Sequence, residues 1–160
     1  MAVQIGSARI DERGRISGGA AGNQTGKELS TQNWYLHSKG WRVLRPKDYA
    51  KAQKMAECMK MACKNMRIGY DQVQRNTLYN EAKQYNFDVS KVSKKVETDC
   101  SALVRVCCAY AGIMVSDFNT SSEASRLLSS GEFTELTDSK YTKSPTYLRM
   151  GDVLVTKTKG

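Results

Sequence analysis

The stretch ETDCSALVRVCCAYAG, residues 97–112, sets one cysteine at the head of an almost wholly apolar run. Between Ala102 and Ala111 only Arg105 is charged, so the segment reads as a helix buried on most of its sides. Asp99 and Ser101 are residues that start helices, and Gly112 is one that stops them. Cys100 therefore falls in the first turn, where unpaired backbone N–H groups and the positive end of the helix dipole favour a thiolate. Cys107 and Cys108 lie two turns further on, where that field has faded. The pattern assigns chemistry to Cys100 and packing to the other two.

Working outward, Pro46 and Asp48 open a helix that runs to about Asn65. Its apolar positions Tyr49, Ala52, Ala56, Met59 and Cys63 step by three and four, which buries Cys63 and leaves Cys58 at the flank. Gly69 breaks the chain, and a second helix is predicted over 71–85, presenting Val73, Leu78, Ala82 and Tyr85. Residues 86–98 read as a polar surface connection. Thr120 with Glu123 matches a capping box and Gly131 a stop, so a short helix lies between them. EFTEL (132–136) and RMGDVLVTK (149–157) are strand candidates, and Trp41, Val43 and Arg45 form one short alternating piece. Residues 1–33, rich in Gly, Ser, Asn, Gln and Thr, read as loop. The order predicts an α+β domain over 1–160, helices first and an antiparallel sheet at the C-terminal end. A sheet of one or two strands leaves its edges unpaired, so the sheet reads as incomplete.

A chain of 160 residues is long enough for one domain with a real core, and no run approaches the ~18 apolar residues of a membrane helix. The N-terminus MAVQIGSARIDERGR has no apolar signal region. Five cysteines, two of them adjacent inside a helix, read as reduced thiols rather than a disulfide framework. Zinc at Cys58 and Cys63 is disfavoured by their spacing and by the single histidine, His37. ISGGAAGNQTGKE (16–28) contains Gly26-Lys27, yet Ala21 and Glu28 stand where a phosphate loop needs glycine and a hydroxyl. The excess of 25 basic over 16 acidic residues, +9 in all, favours polyanions such as nucleic acid, an anionic membrane surface or the bacterial wall. A nucleic-acid module needs a basic stripe with interleaved aromatics, whereas here acids share the helices with the bases.

The segment TDCSALVRVCCAYAG resembles the nucleophile segment of the NlpC-type and CHAP-type cell-wall cysteine hydrolases, which share a papain-like core. The matching residues are Asp99, Cys100, Ser101, Ala102, Leu103 and Val104. MGDVLV (150–155) resembles the Gly-Asp pair that opens their first sheet strand, and IGYDQ (68–72) their oxyanion tyrosine. With GNQTGKE, NWY and IGYDQVQR added, the chain is most similar to bacteriophage endolysins of Gram-positive hosts.

The resemblance implies a peptidoglycan hydrolase with Cys100 as nucleophile and Tyr70 as an oxyanion contact. Asp99, Ser101, Gln24 and Asp71 become the expected substrate contacts. It implies no cofactor, no metal, no membrane insertion and no nucleic-acid partner. The protein would be made in the cytoplasm without a signal peptide and act at the wall after release. The bond cut is a peptide bond of the stem or cross-bridge, or the N-acetylmuramoyl-L-alanine amide. The family's base histidine follows the strand equivalent to GDVLVTKTKG, beyond Gly160, where further strands and any wall-binding domain are also expected. Residues 1–160 alone are therefore expected to be inactive. His37 precedes the cysteine, against the family order. A non-catalytic wall-binding pseudo-enzyme is the alternative, and the sequence does not indicate an oligomeric state.

Overall fold

The computed structural model describes residues 2–157. The chain begins with strands β1 (Gln4–Ala8) and β2 (Leu29–Asn33), paired antiparallel from Gln4 opposite Asn33 to Ala8 opposite Leu29. This corrects both the loop assigned to residues 1–33 and the helices-first order. Composition hides the pair because only its closed end, Ala8 and Leu29, is fully buried. The remaining positions are small or polar, so no apolar alternation develops.

Strand β3 (Trp41–Pro46) follows, as its alternation predicts, and helix α1 (Tyr49–Lys64) starts at an Asp48 cap whose carboxylate accepts the Lys51 N–H. The buried residues of α1 are Ala52, Met55, Cys58 and Ala62, while Tyr49 is exposed and Cys63 half-buried. The expected roles of Cys58 and Cys63 are thus exchanged. Both flanks of α1 are apolar, so periodicity alone cannot choose between them. The structure turns one toward the apolar core and sets Met59 and Cys63 beside Gly6 of β1.

Strand β4 (Ile68–Tyr70) pairs in parallel with β5 (Val96–Thr98), Tyr70 opposite Thr98. Between them run helix α2 (Thr77–Ala82) and two 3-10 turns at 83–85 and 89–91. The predicted helix over 71–85 is therefore shorter. The Asp71 carboxylate accepts the N–H groups of Val73 and Gln74, folding 71–74 into a turn that leaves Val73 in solvent. The supposed surface connection 86–98 is also corrected, since Phe87, Val89, Val92 and Val96 all enter the core.

Helix α3 (Cys100–Tyr110) packs against α1 and α2, burying Leu103, Val106, Cys107 and Cys108 as its sequence predicts. Helix α4 (Thr120–Ser129), strand β6 (Phe133–Leu136), the short helix α5 (Ser139–Thr142) and strand β7 (Val153–Thr156) complete the described residues. Strands β6, β3 and β7 form an antiparallel sheet with β3 in the middle. The architecture is mixed α+β with small sheets, and its three-stranded sheet is centred on a strand that precedes every helix. The MGDVLV motif pins this sheet. Arg45 grips Asp152 through two 2.8 Å bonds, and Gly151 lets the chain pass Ala52 of α1. A Cβ at Gly151 would lie 2.4 Å from the Ala52 carbonyl oxygen.

Two features yield predictions. A Cβ on Gly69 of β4 would lie 2.2 Å from the Gly22 carbonyl oxygen, so the 22–28 loop can close over β4 only past a glycine. Gly69→Ala is expected to lower unfolding free energy by about 2–3 kcal/mol, read by urea denaturation. Glu97 of β5 is 2% exposed and its Oε2 has no hydrogen-bond partner. Burial, then the charges of Asp71, Glu12, Glu28 and Asp11, push its carboxyl up to about 7. The folded state holds this proton where the unfolded chain has lost it, so its stabilisation is present below about 4.5 and lost as pH rises through about 7. Glu97→Gln is expected to gain stability over the parent at pH 8 and little at pH 5. An equal gain at both values would contradict the assignment.

Candidate active site

The Asp99 carboxylate caps α3 by accepting the Ala102 N–H at 2.9 Å. Cys100 follows it and is exposed, whereas Cys58, Cys107 and Cys108 are buried and Cys63 is half-buried. One guanidinium fixes this turn. Arg75 bonds Asp99 at 2.7 Å, the Ser101 hydroxyl at 2.6 Å, Asp117 at 2.7 Å and the Phe118 carbonyl at 2.7 Å. The parallel β4–β5 pair then closes the gap of some thirty residues between Tyr70 and Cys100, because Thr98 opposite Tyr70 lies two residues before the cysteine. Tyr70 is buried, and its hydroxyl accepts a 2.9 Å bond from Gln72. Burial leads the upward shift of its phenol.

Two neighbours of the thiol escaped the sequence reading. Helix α4 is capped by Asn119 with Ser122 in a capping box, one residue earlier than the predicted Thr120 and Glu123. Thr120, freed from capping, lies with its hydroxyl 3.6 Å from the Cys100 sulfur. Glu123 is buried behind it, and burial together with Asp99 pushes its carboxyl up to about 8, against the pull of Arg75. Asn119 is as good a cap as Thr120 and was the available signal.

The other expected contacts are placed differently from one another. Asp99 and Ser101 are buried at the head of α3, where their side chains bond Arg75, the Ala102 N–H and each other. Asp71, next to Tyr70, spends its carboxylate on the N–H groups of Gly18, Val73 and Gln74. Gln24 is exposed, and its side-chain amide turns back on the carbonyls of Ala21 and Gly22. Three of the four, Asp99, Asp71 and Gln24, act on backbone, and Ser101 bonds the side chains of Arg75 and Asp99.

His37 is half-buried beside Tyr35 and Trp41, with ring centroids 6.0 and 5.1 Å away. Its Nδ1 accepts the Lys39 N–H at 3.0 Å, which assigns the proton of the neutral ring to Nε2. A ring whose lone pair is already taken makes a poor general base. Among the described residues no group of three His, Cys, Asp or Glu side chains is placed to hold a metal ion.

A groove of about 690 Å³ opens at Cys100. Thr120, Glu123 and Val104 line it near the thiol, Met55 and Met59 of α1 form apolar wall, and β1 and β7 flank it. Tyr35, His37 and Trp41 line it as well. Of the residues expected at the site only Cys100 is among its lining. A smaller cavity of about 360 Å³ against Arg45, Tyr49 and Met150 has no cysteine in its lining.

The thiol itself departs from the expectation of a resting thiolate. Burial pushes the Cys100 thiol up, and the carboxylates of Asp99 and Glu123 push the same way. The Thr120 hydroxyl and the Ser101 N–H pull it down without reversing the direction. Burial raises Cys63 to about 11 and Cys108 further, and Cys107 is held well above the usual thiol range beside Cys58. The arrangement is an accessible, protonated nucleophile at the mouth of a groove, and it becomes reactive when a proton acceptor reaches it.

An α+β domain with a lone accessible thiol on a groove is the class that fold and site define. The family comparison makes it specific: the chain belongs to the endolysin-like domain family, whose model matches residues 5–160. That membership gives it a phage-type lytic role at the cell wall, with peptidoglycan as substrate. No curated protein and no solved structure matches the chain. Among the described residues no helix is long and apolar enough to cross a membrane.

Glu123→Gln removes one of the two carboxylates that hold the thiol up. It is expected to lower the pH at which Cys100 becomes alkylated, followed by iodoacetamide labelling from pH 6 to 10. A labelling profile that stays put or moves upward would show that Glu123 does not act on the sulfur.

Proposed function

We propose that the chain is a cysteine hydrolase of the wall peptide, built on a papain-like plan. An imidazole takes the Cys100 thiol proton as the sulfur attacks an amide carbonyl carbon, forming a C–S bond while the carbonyl oxygen takes up the electron pair. The Cys100 backbone N–H and the Tyr70 hydroxyl hold that oxyanion. Tyr70 already accepts from Gln72, so its own O–H proton remains to donate. Collapse breaks the C–N bond, the amine leaves with a proton from an imidazolium, and water hydrolyses the thioester. In the NlpC-type enzymes that the chain resembles, a histidine supplies that imidazole. Among the described residues the Nδ1 lone pair of His37, which lines the same groove, is taken by the Lys39 N–H. Stem-peptide and muramoyl-alanine amides need the same groups.

The observation that carries this reading is an exposed thiol at the head of a buried helix, opening on a groove, in a chain of endolysin-like family. The sheet order, with β7 following the nucleophile helix and pairing with β3, supports the papain-like plan. Competitive alkylation tests it. Iodoacetamide is expected to modify Cys100 at least about tenfold faster than the other four cysteines, and soluble muropeptides to slow that modification. Uniform labelling, or a Cys100 rate that muropeptides leave unchanged, would sink the proposal.

A further inference from the structure

The cavity of about 360 Å³ lies where the end of β3 meets the start of α1. Arg45, Lys47 and Arg149 bring three cations to its lining, and neither aspartate nor glutamate is among the lining residues. Arg45 is spent on the Asp152 carboxylate and the Tyr147 carbonyl. Lys47 and Arg149 are exposed, and among the described residues no carboxylate pairs with either. Lys47 precedes α1 and Arg149 precedes β7, so no run of the sequence announces that they meet.

A further cation flanks this cleft. The Lys140 Nζ lies 5.1 Å from the centre of the Tyr141 ring and 5.4 Å from that of Tyr147. The Arg45 guanidinium stands 5.4 Å from the Tyr141 centroid, which joins the tyrosine pair to the cleft. Like charges gathered without acids repel one another, and a bound polyanion relieves that repulsion. Arg149 and Met150 also line the groove that opens at Cys100, so cleft and groove share a wall.

We propose that this cleft binds a phosphodiester-linked polyol chain of the cell wall, with Lys47 and Arg149 as its phosphate contacts. Lysine meets a phosphate as a point charge and arginine as a two-pronged donor, and cations set at separate positions suit repeated phosphates. Single-stranded nucleic acid carries repeated phosphates too, but it is held through open aromatic faces on which bases stack. Here Tyr141 and Tyr147 already carry cations and stand edge to face, their centroids 6.4 Å apart at 72°. The lytic role at the wall favours a phosphate polymer without bases. Bound there, the polymer would hold the chain on the wall beside the groove.

Calorimetry at a series of salt concentrations tests the proposal. The probes are a synthetic oligo(glycerol phosphate) of about six units and an oligothymidylate with the same number of phosphates. The parent is expected to bind the polyol phosphate tighter than the oligothymidylate. Lys47→Gln combined with Arg149→Gln is expected to weaken it at least about tenfold and to lower the salt slope by about two, one for each cation removed. Lys83→Gln combined with Lys91→Gln removes the same charge from exposed positions outside the cleft and is expected to cost less than about twofold. Equal losses in the two double variants would show attraction to net charge and overturn the site. So would an absence of polyol phosphate binding at low salt, whereas tighter binding of the oligothymidylate would make the patch a nucleic-acid surface instead. Cys100 is not in the lining of the cleft, so each of these failures leaves the hydrolase reading standing.

Discussion

The Asp99 carboxylate does two things at the head of α3. It accepts the N–H of Ala102, ending the search for a helix start, and it pairs with Arg75 at 2.7 Å. Through the other donors of Arg75 the same joint reaches Ser101, Asp117 and the Phe118 carbonyl, just ahead of α4. Three stretches of chain, the turn after β4, the start of α3 and the approach to α4, are thereby tied to one guanidinium. Charge-assisted bonds of this kind are stronger and more directional than neutral ones, which suits a joint that must hold a sulfur in place. Cys100 is exposed because the residues on either side of it are committed inward.

That joint also explains the state of the thiol. The carboxylate that caps the helix sits beside the sulfur, and α4 brings Glu123 against the same position. The dipole of α3 favours a thiolate, but burial and two acidic neighbours oppose it, and their sum decides the direction. The thiol is held in its protonated form. Such a thiol gains reactivity only when a proton acceptor reaches it.

The head of α3 was legible in the sequence, whereas the rest of the groove lining was not. The Asp99 start, the head position of Cys100 and the burial of Cys107 and Cys108 all depend on neighbours within one or two turns. The roles of Cys58 and Cys63 were exchanged because both flanks of α1 are apolar, and only the packing against α3 and β1 selects one. Thr120 and Glu123 were taken for a cap because Asn119, one residue earlier, is an equally good one. A shift of one residue moved both from the surface of a helix end to the side of the nucleophile.

The sequence by itself determined the elements whose causes are local: α1 after Asp48, α3 after Asp99, the strand β3, and the strand after Gly151-Asp152. Capping and periodicity act over three or four residues, so they can be read from a single chain. Tertiary structure alone decided the β1–β2 pair, whose residues carry no apolar alternation, and the parallel β4–β5 register that carries Tyr70 to Cys100. It also decided the protonation of the thiol. That quantity sums burial with charges from Asp99 and Glu123, which lie on different elements and meet only when the chain has folded.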